Sequence, residues 1–177
     1  MKHIFESKQV SLEVKMRLFH SHIQSIFLYN SELWTLTKKL ESTVDVFQRN
    51  ILRKILDIRW PKKISNNTIY ETTKAETWSK TIKRRRLQWY GHLLRLPENT
   101  PAKEALKEAR SFACKPKGGQ KLTWLKIIDR DLKDIQIKVV VANSGGGVAY
   151  SYNTKDHKVM AQNRYTWQVV VNRAMSQ

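Results

Sequence analysis

The stretch KRRRLQWYGHLLR, residues 83–95, places four consecutive cations before two aromatics and a glycine in a segment with helical periodicity. A solvated charge run has no use for Trp89 and Tyr90, and a plain core helix has no use for the cations. The combination calls for a helix docked on a core with a charged face left over, which suits a polyanion. The apolar positions agree. Trp78, Ile82, Trp89, Leu93 and Leu96 share one stripe, and Leu87, Tyr90 and Leu94 form a second patch. More than half the circumference of a helix over 78–96 is therefore expected to be buried, with Pro97 ending it.

At ~100° per residue, Lys80, Arg84, Gly91 and Arg95 fall in one narrow stripe, with Thr81, Gln88 and His92 beside it. This stripe and the neighbouring Lys83 are the face expected to meet nucleic acid, with Arg84 and Arg95 gripping phosphates. Gly91 either lets another backbone approach closely or permits only tight helix packing or a kink, and both readings stay open. Arg85 and Arg86 border the Trp78–Trp89 stripe, one on each side. Both count among the candidate nucleic-acid contacts, but they must snorkel, stack on an aromatic or pair with a carboxylate, so at least one of them is expected to be structural.

The remaining segments also read as helices. Ser11 caps a helix with Leu12, Met16, Phe19, Ile23, Ile26 and Phe27 on one face, running to about 29–34. Thr37 caps a second, with Leu40, Val44, Phe47, Ile51, Leu52, Ile55 and Ile58 at helical spacing and Pro61 as its stop. Ser65 opens a short helix, and Thr100-Pro101 opens another. Thr123 caps one carrying Trp124, Leu125, Ile128, Leu132 and Ile135, and a last helix is expected beyond Lys155. Residues 137–142 and 148–152 flank the turn 143–147 and read as a short β-hairpin, marginal on two strands. The expectation is an all-α, multi-helix bundle with a short hairpin near 137–152. Its segments are 1–60, a basic helical region 61–135, and an atypical tail 136–177.

A net charge of +18 on 177 residues that are 41% hydrophobic describes a folded basic protein, whose usual partner is RNA or DNA. The loop 115–121 adds Lys115, Lys117 and Lys121 beside glycines, suited either to phosphate contact or to an ordinary solvated linker. Chemistry is harder to find. The single Cys114 excludes a disulfide framework or a zinc finger within one chain, and the scattered histidines do not suggest a metal site. Asp129, Asp131 and Asp134 alternate with Arg130 and Lys133, the pattern of surface ion pairs. No catalytic residue, metal ligand or cofactor is assigned. The charged N-terminus and the lack of a long apolar run lead to the expectation of an intracellular protein, nuclear or cytoplasmic, with no membrane partner.

Four stretches carry a resemblance in order: IFLYNSELWTL at 26–36, VDVFQRNILRKILDIRW at 44–60, RRRLQWYGHLLRL at 84–96 and GGQKLTW at 118–124. Together they resemble the C-terminal part of LINE-type (non-LTR, RTE-like) retrotransposon endonuclease–reverse transcriptases. The similarity covers about residues 4–136 and resumes over 158–176. Asn30 stands where that family usually has glycine, and the basic linker lacks the family's proline-arginine pair. The resemblance implies a thumb-like bundle and downstream region that hold template RNA and primer–template duplex. The polymerase palm, with its magnesium and paired aspartates, would belong upstream as a partner in a longer polyprotein. Alternatives are a domesticated host DNA- or RNA-binding module and a non-functional remnant of such an element.

Overall fold

The computed structural model describes residues 2–111, 122–133 and 157–175. Helix is the only regular structure among these residues, so the fold is all-α as expected. The elements are α1 (Lys2–Glu6), α2 (Leu12–Leu18), α3 (Ser25–Phe27), α4 (Lys38–Ile55), α5 (Asn66–Thr73), α6 (Trp78–Arg95), α7 (Pro101–Ser111), α8 (Trp124–Lys133), α9 (His157–Gln162) and α10 (Arg164–Met175). The expected hairpin at 137–152 and the basic linker with Lys115, Lys117 and Lys121 lie outside the described residues.

The chain divides into two compact units: unit 1 is Met1–Ser31 with Leu36–Ile82, and unit 2 is Glu32–Thr35 with Lys83–Gln177. The boundary falls within α6, so the units do not follow the segments 1–60, 61–135 and 136–177. The apolar residues of α6 explain the division. Trp78 and Ile82 sit in the core of unit 1, whereas Leu87, Tyr90, Leu93 and Leu94 sit in the core of unit 2.

In unit 1, α1 and α2 pack on α4, and α4 packs on α5. Trp78 is the centre of its core, fully buried and stacked against Phe27 with ring centroids 4.6 Å apart and against Phe19 at 5.8 Å. Side-chain caps start the helices where the sequence places them. Ser11 accepts from the Val14 amide, Thr37 from Leu40 and Ser65 from Thr68.

Two details depart from the helical pattern. Phe19–Gln24, between α2 and α3, is a π-helical stretch. It turns less per residue than an α-helix, so the apolar face drifts. Ile26 is consequently 75% exposed, and Leu28, at 0%, replaces it in the core. The helix ends at Phe27 rather than at 29–34, because Asn30 takes a left-handed φ of 51° ahead of a 3₁₀ turn at Ser31–Leu33. Likewise α4 ends at Ile55, before Pro61, with Asp57 at φ 51°.

Unit 2 has one core, built from Leu87, Tyr90, Leu93 and Leu94 of α6, Leu106 of α7, Ile128 and Leu132 of α8, and the inner faces of α9 and α10. The expected last helix is broken at Asn163. Its side chain accepts from the amides of Tyr165 and Thr166 and starts α10 afresh.

Candidate nucleic-acid interface

The basic helix α6 has no acidic residue in its first turn, and its start is closed by another helix. In unit 1, Gln48 of α4 accepts from the Trp78 amide at 2.8 Å and donates to the Glu76 carbonyl at 2.7 Å. Asp45, one turn earlier on α4, accepts from the Ser79 amide at 2.9 Å. These acceptors satisfy N–H groups that the helix leaves without partners, and the carboxylate complements the positive end of its dipole. In unit 2, Lys103 donates to the Leu94 carbonyl at 2.6 Å near the other end of the helix, where a cation is favoured.

Arg86 does not face outward. It is 1% exposed, with Nε 2.7 Å and Nη2 2.6 Å from Asp131 Oδ2. Burial pushes the Asp131 carboxyl above its ordinary pKa, against the opposing pull of Arg86. Arg86 therefore leaves the set of candidate phosphate contacts and becomes the structural cation of the run. Asp131, expected in a surface cluster, is a core residue at 2% exposure. Its neighbour Asp129 is exposed, and Asp134 lies outside the described residues.

Gly91 also leaves the contact face. A Cβ there would lie 2.1 Å from Nε1 and 2.3 Å from Cδ1 of Trp167. The indole of Trp167 lies over this glycine and donates its N–H to the Leu87 carbonyl at 2.9 Å. Of the two readings of Gly91, the structure favours tight helix packing, because the space above it is filled by α10.

The remaining candidates on α6 keep some access to solvent. Lys80 and His92 are exposed, while Lys83, Arg84, Arg85 and Arg95 are intermediate. Within unit 2, the open arc of α6 therefore centres on the exposed Gln88 and His92, with Arg84, Arg85 and Arg95 at its borders. Trp89 lies partly buried beside His92, their ring centroids 5.3 Å apart. Arg95 is anchored by a 2.9 Å bond from Nη1 to the Ala161 carbonyl at the end of α9.

This arc borders a cleft of 630 Å³ between α6 and α10. Gln88, His92 and Arg95 form one wall, Arg164 and Gln168 the other, and the buried Trp167 and Val171 complete the lining. Each wall repeats at helical spacing of four or three residues, which stacks its side chains along one face. The sequence expectation included a last helix there but left it out of the site, because Arg164 stands outside any charge run. The available signal was the amphipathic pattern of α10, which buries Trp167 and Val171 and leaves Arg164 and Gln168 exposed.

Among the described residues, no group of three or more His, Cys, Asp or Glu side chains is placed to hold a metal ion. No helix among them is long and apolar enough to cross a membrane. No protein-family model, curated protein or solved structure matches the chain.

Proposed function

We propose that the chain is a nucleic-acid-binding element, the thumb and downstream part of a LINE-type reverse transcriptase, acting on RNA and DNA without catalytic residues of its own. The observation that carries this reading is the open arc of α6 in unit 2. Arg84, Arg85 and Arg95 border it, and Arg164 of α10 adds to it, on a chain of net charge +18. Cations at the edge of a packed helical core engage phosphates without reading sequence.

Three further observations support the resemblance. Asn30 holds a left-handed φ of 51°, the conformation glycine adopts freely, at the position where the family usually has glycine. Gly91, in the tryptophan-x-glycine-histidine pattern, makes room for Trp167. Trp124, from the resembling stretch at 118–124, donates to the Glu32 carbonyl of the stretch at 26–36 at 2.8 Å. Two of the resembling stretches thus meet in one unit. In this reading magnesium belongs to the upstream palm.

The test is binding of the full chain to labelled RNA and DNA across a salt series. For about four neutralised phosphates on a single strand, a fourfold rise in salt lowers affinity about 50-fold. Binding that is flat with salt, or absent at low salt, would remove the proposal.

A further inference from the structure

The cleft between α6 and α10 has the size and chemistry of a site for one nucleotide. Its 630 Å³ falls inside the range of about 300–1,000 Å³ that small-ligand sites occupy. Its charged side chains are Arg95 and Arg164, one from each wall, and no carboxylate is among the described residues that line it. Arg95 is held in place by its bond to the Ala161 carbonyl at 2.9 Å, which uses one of the five guanidinium donors. A guanidinium fixed by protein loses little freedom when a phosphate arrives, and its fork matches phosphate oxygens.

The other polar groups point to more than a phosphate. Gln88 and Gln168, both exposed and on opposite walls, each bring an acceptor and two donors. Such amides suit sugar hydroxyls and the hydrogen-bonding edges of bases. In a duplex the Watson–Crick edges are paired inside the helix, and only the groove edges stay open, at fixed positions set by the duplex. In an unpaired strand the base edges are free to turn into a cleft together with the phosphate.

We propose that the α6–α10 cleft seats one nucleotide unit of an unpaired nucleic-acid strand. Its phosphate is held by Arg95 and Arg164, and its sugar or base edge by Gln88 and Gln168. The inference rests on the nucleic-acid reading above and sharpens it, from general phosphate contact to a defined preference for single strands.

The experiment compares the full chain with three variants. Arg164→Gln/Gln168→Leu alters the α10 wall at exposed positions, and Gln88→Leu alters the α6 wall at another. Lys39→Gln removes one charge from the exposed face of α4 in unit 1. Each is titrated by fluorescence anisotropy with an unpaired oligonucleotide and with a hairpin duplex of the same composition. Adenosine monophosphate is titrated separately. Arg164→Gln/Gln168→Leu is expected to weaken the unpaired strand about tenfold and Gln88→Leu about fivefold, while each changes the duplex less than about twofold, as loss of a charge-assisted contact and of an amide contact in one site requires. Lys39→Gln is expected to weaken both ligands equally and by less than about twofold, as loss of one exposed charge does. Cleft variants that behave like Lys39→Gln overturn the cleft assignment and leave the general reading standing. Absence of any strand binding at low salt overturns that reading and the strand assignment together. An Arg164-dependent affinity for adenosine monophosphate without strand binding would mark a free-nucleotide site and overturn the strand form of the proposal.

Discussion

Unit 1 and unit 2 each enclose part of α6, and they treat buried polar groups in different ways. Unit 1 buries Gln48, a neutral side chain, and uses both ends of its amide on the backbone at the start of the helix. Unit 2 buries the ion pair of Arg86 and Asp131 and satisfies the far end of α6 with Lys103. An amide costs little to desolvate once both its groups are bonded. Two charges cost several kcal/mol each before their attraction is counted. The core of unit 2 therefore depends on keeping both partners, whereas unit 1 carries no comparable electrostatic liability at Gln48. The contrast also shows that a charge run is not one functional object. Burial takes Arg86 out of the run, while Arg84 and Arg85 keep access to solvent.

The largest expected effect breaks the comparison on the side of unit 2. Asp131→Ala removes the carboxylate from the buried Arg86 guanidinium, and denaturant melts should show a loss of about 3–5 kcal/mol. Replacing both partners, as Arg86→Met/Asp131→Leu, should recover most of that loss and leave nucleic-acid affinity unchanged, because Arg86 never reached the surface. A single variant within about 1 kcal/mol of the parent would mean that the buried site is hydrated enough to tolerate a lone cation.

A somewhat smaller effect is expected at Gly91. Its methyl would have to enter the indole of Trp167, whose ring is buried and tied to the Leu87 carbonyl. Gly91→Ala should destabilise unit 2 by about 3 kcal/mol, the upper end of the usual cost of overpacking. Nucleic-acid affinity should fall only to the extent that unit 2 loosens. Unchanged stability with reduced affinity would restore the close-approach reading.

Much of the fold was legible in the sequence because caps and apolar periodicity are local. Ser11, Thr37, Ser65 and Thr123 all accept from the amide three residues on. The π-helical stretch was not legible, because the 3.6-residue period assumed for the whole segment fails there and carries Ile26 off the face. The site was half legible. The helical wheel located the arc holding Arg84, Arg95, Gln88 and His92, but the partner wall on α10 depends on tertiary packing. The buried polar groups are legible in the same helical periodicity. Asp131 falls between Ile127 and Ile128 on the apolar arc of α8, Arg86 between Ile82 and Tyr90 on α6, and Gln48 between Ile55 and Leu52 on α4. A polar residue in the middle of an apolar arc needs a partner, and two opposite charges so placed on different helices are candidates for each other.

Gln48 gives the smallest of the three effects and the cleanest test of how unit 1 differs. Gln48→Leu keeps much of the side-chain volume, so the cost reads the hydrogen bonds and not a cavity. It strips the Trp78 amide and the Glu76 carbonyl of their partner, and no charge is left behind. The loss should be about 1–3 kcal/mol, below that of Asp131→Ala. Hydrogen exchange at the Trp78 amide should speed up, while the Ser79 amide, still held by Asp45, should remain protected. Equal acceleration at both amides would mean that Gln48 and Asp45 act as one cap. The start of α6 would then be a single cooperative unit that includes the Asp45 carboxylate.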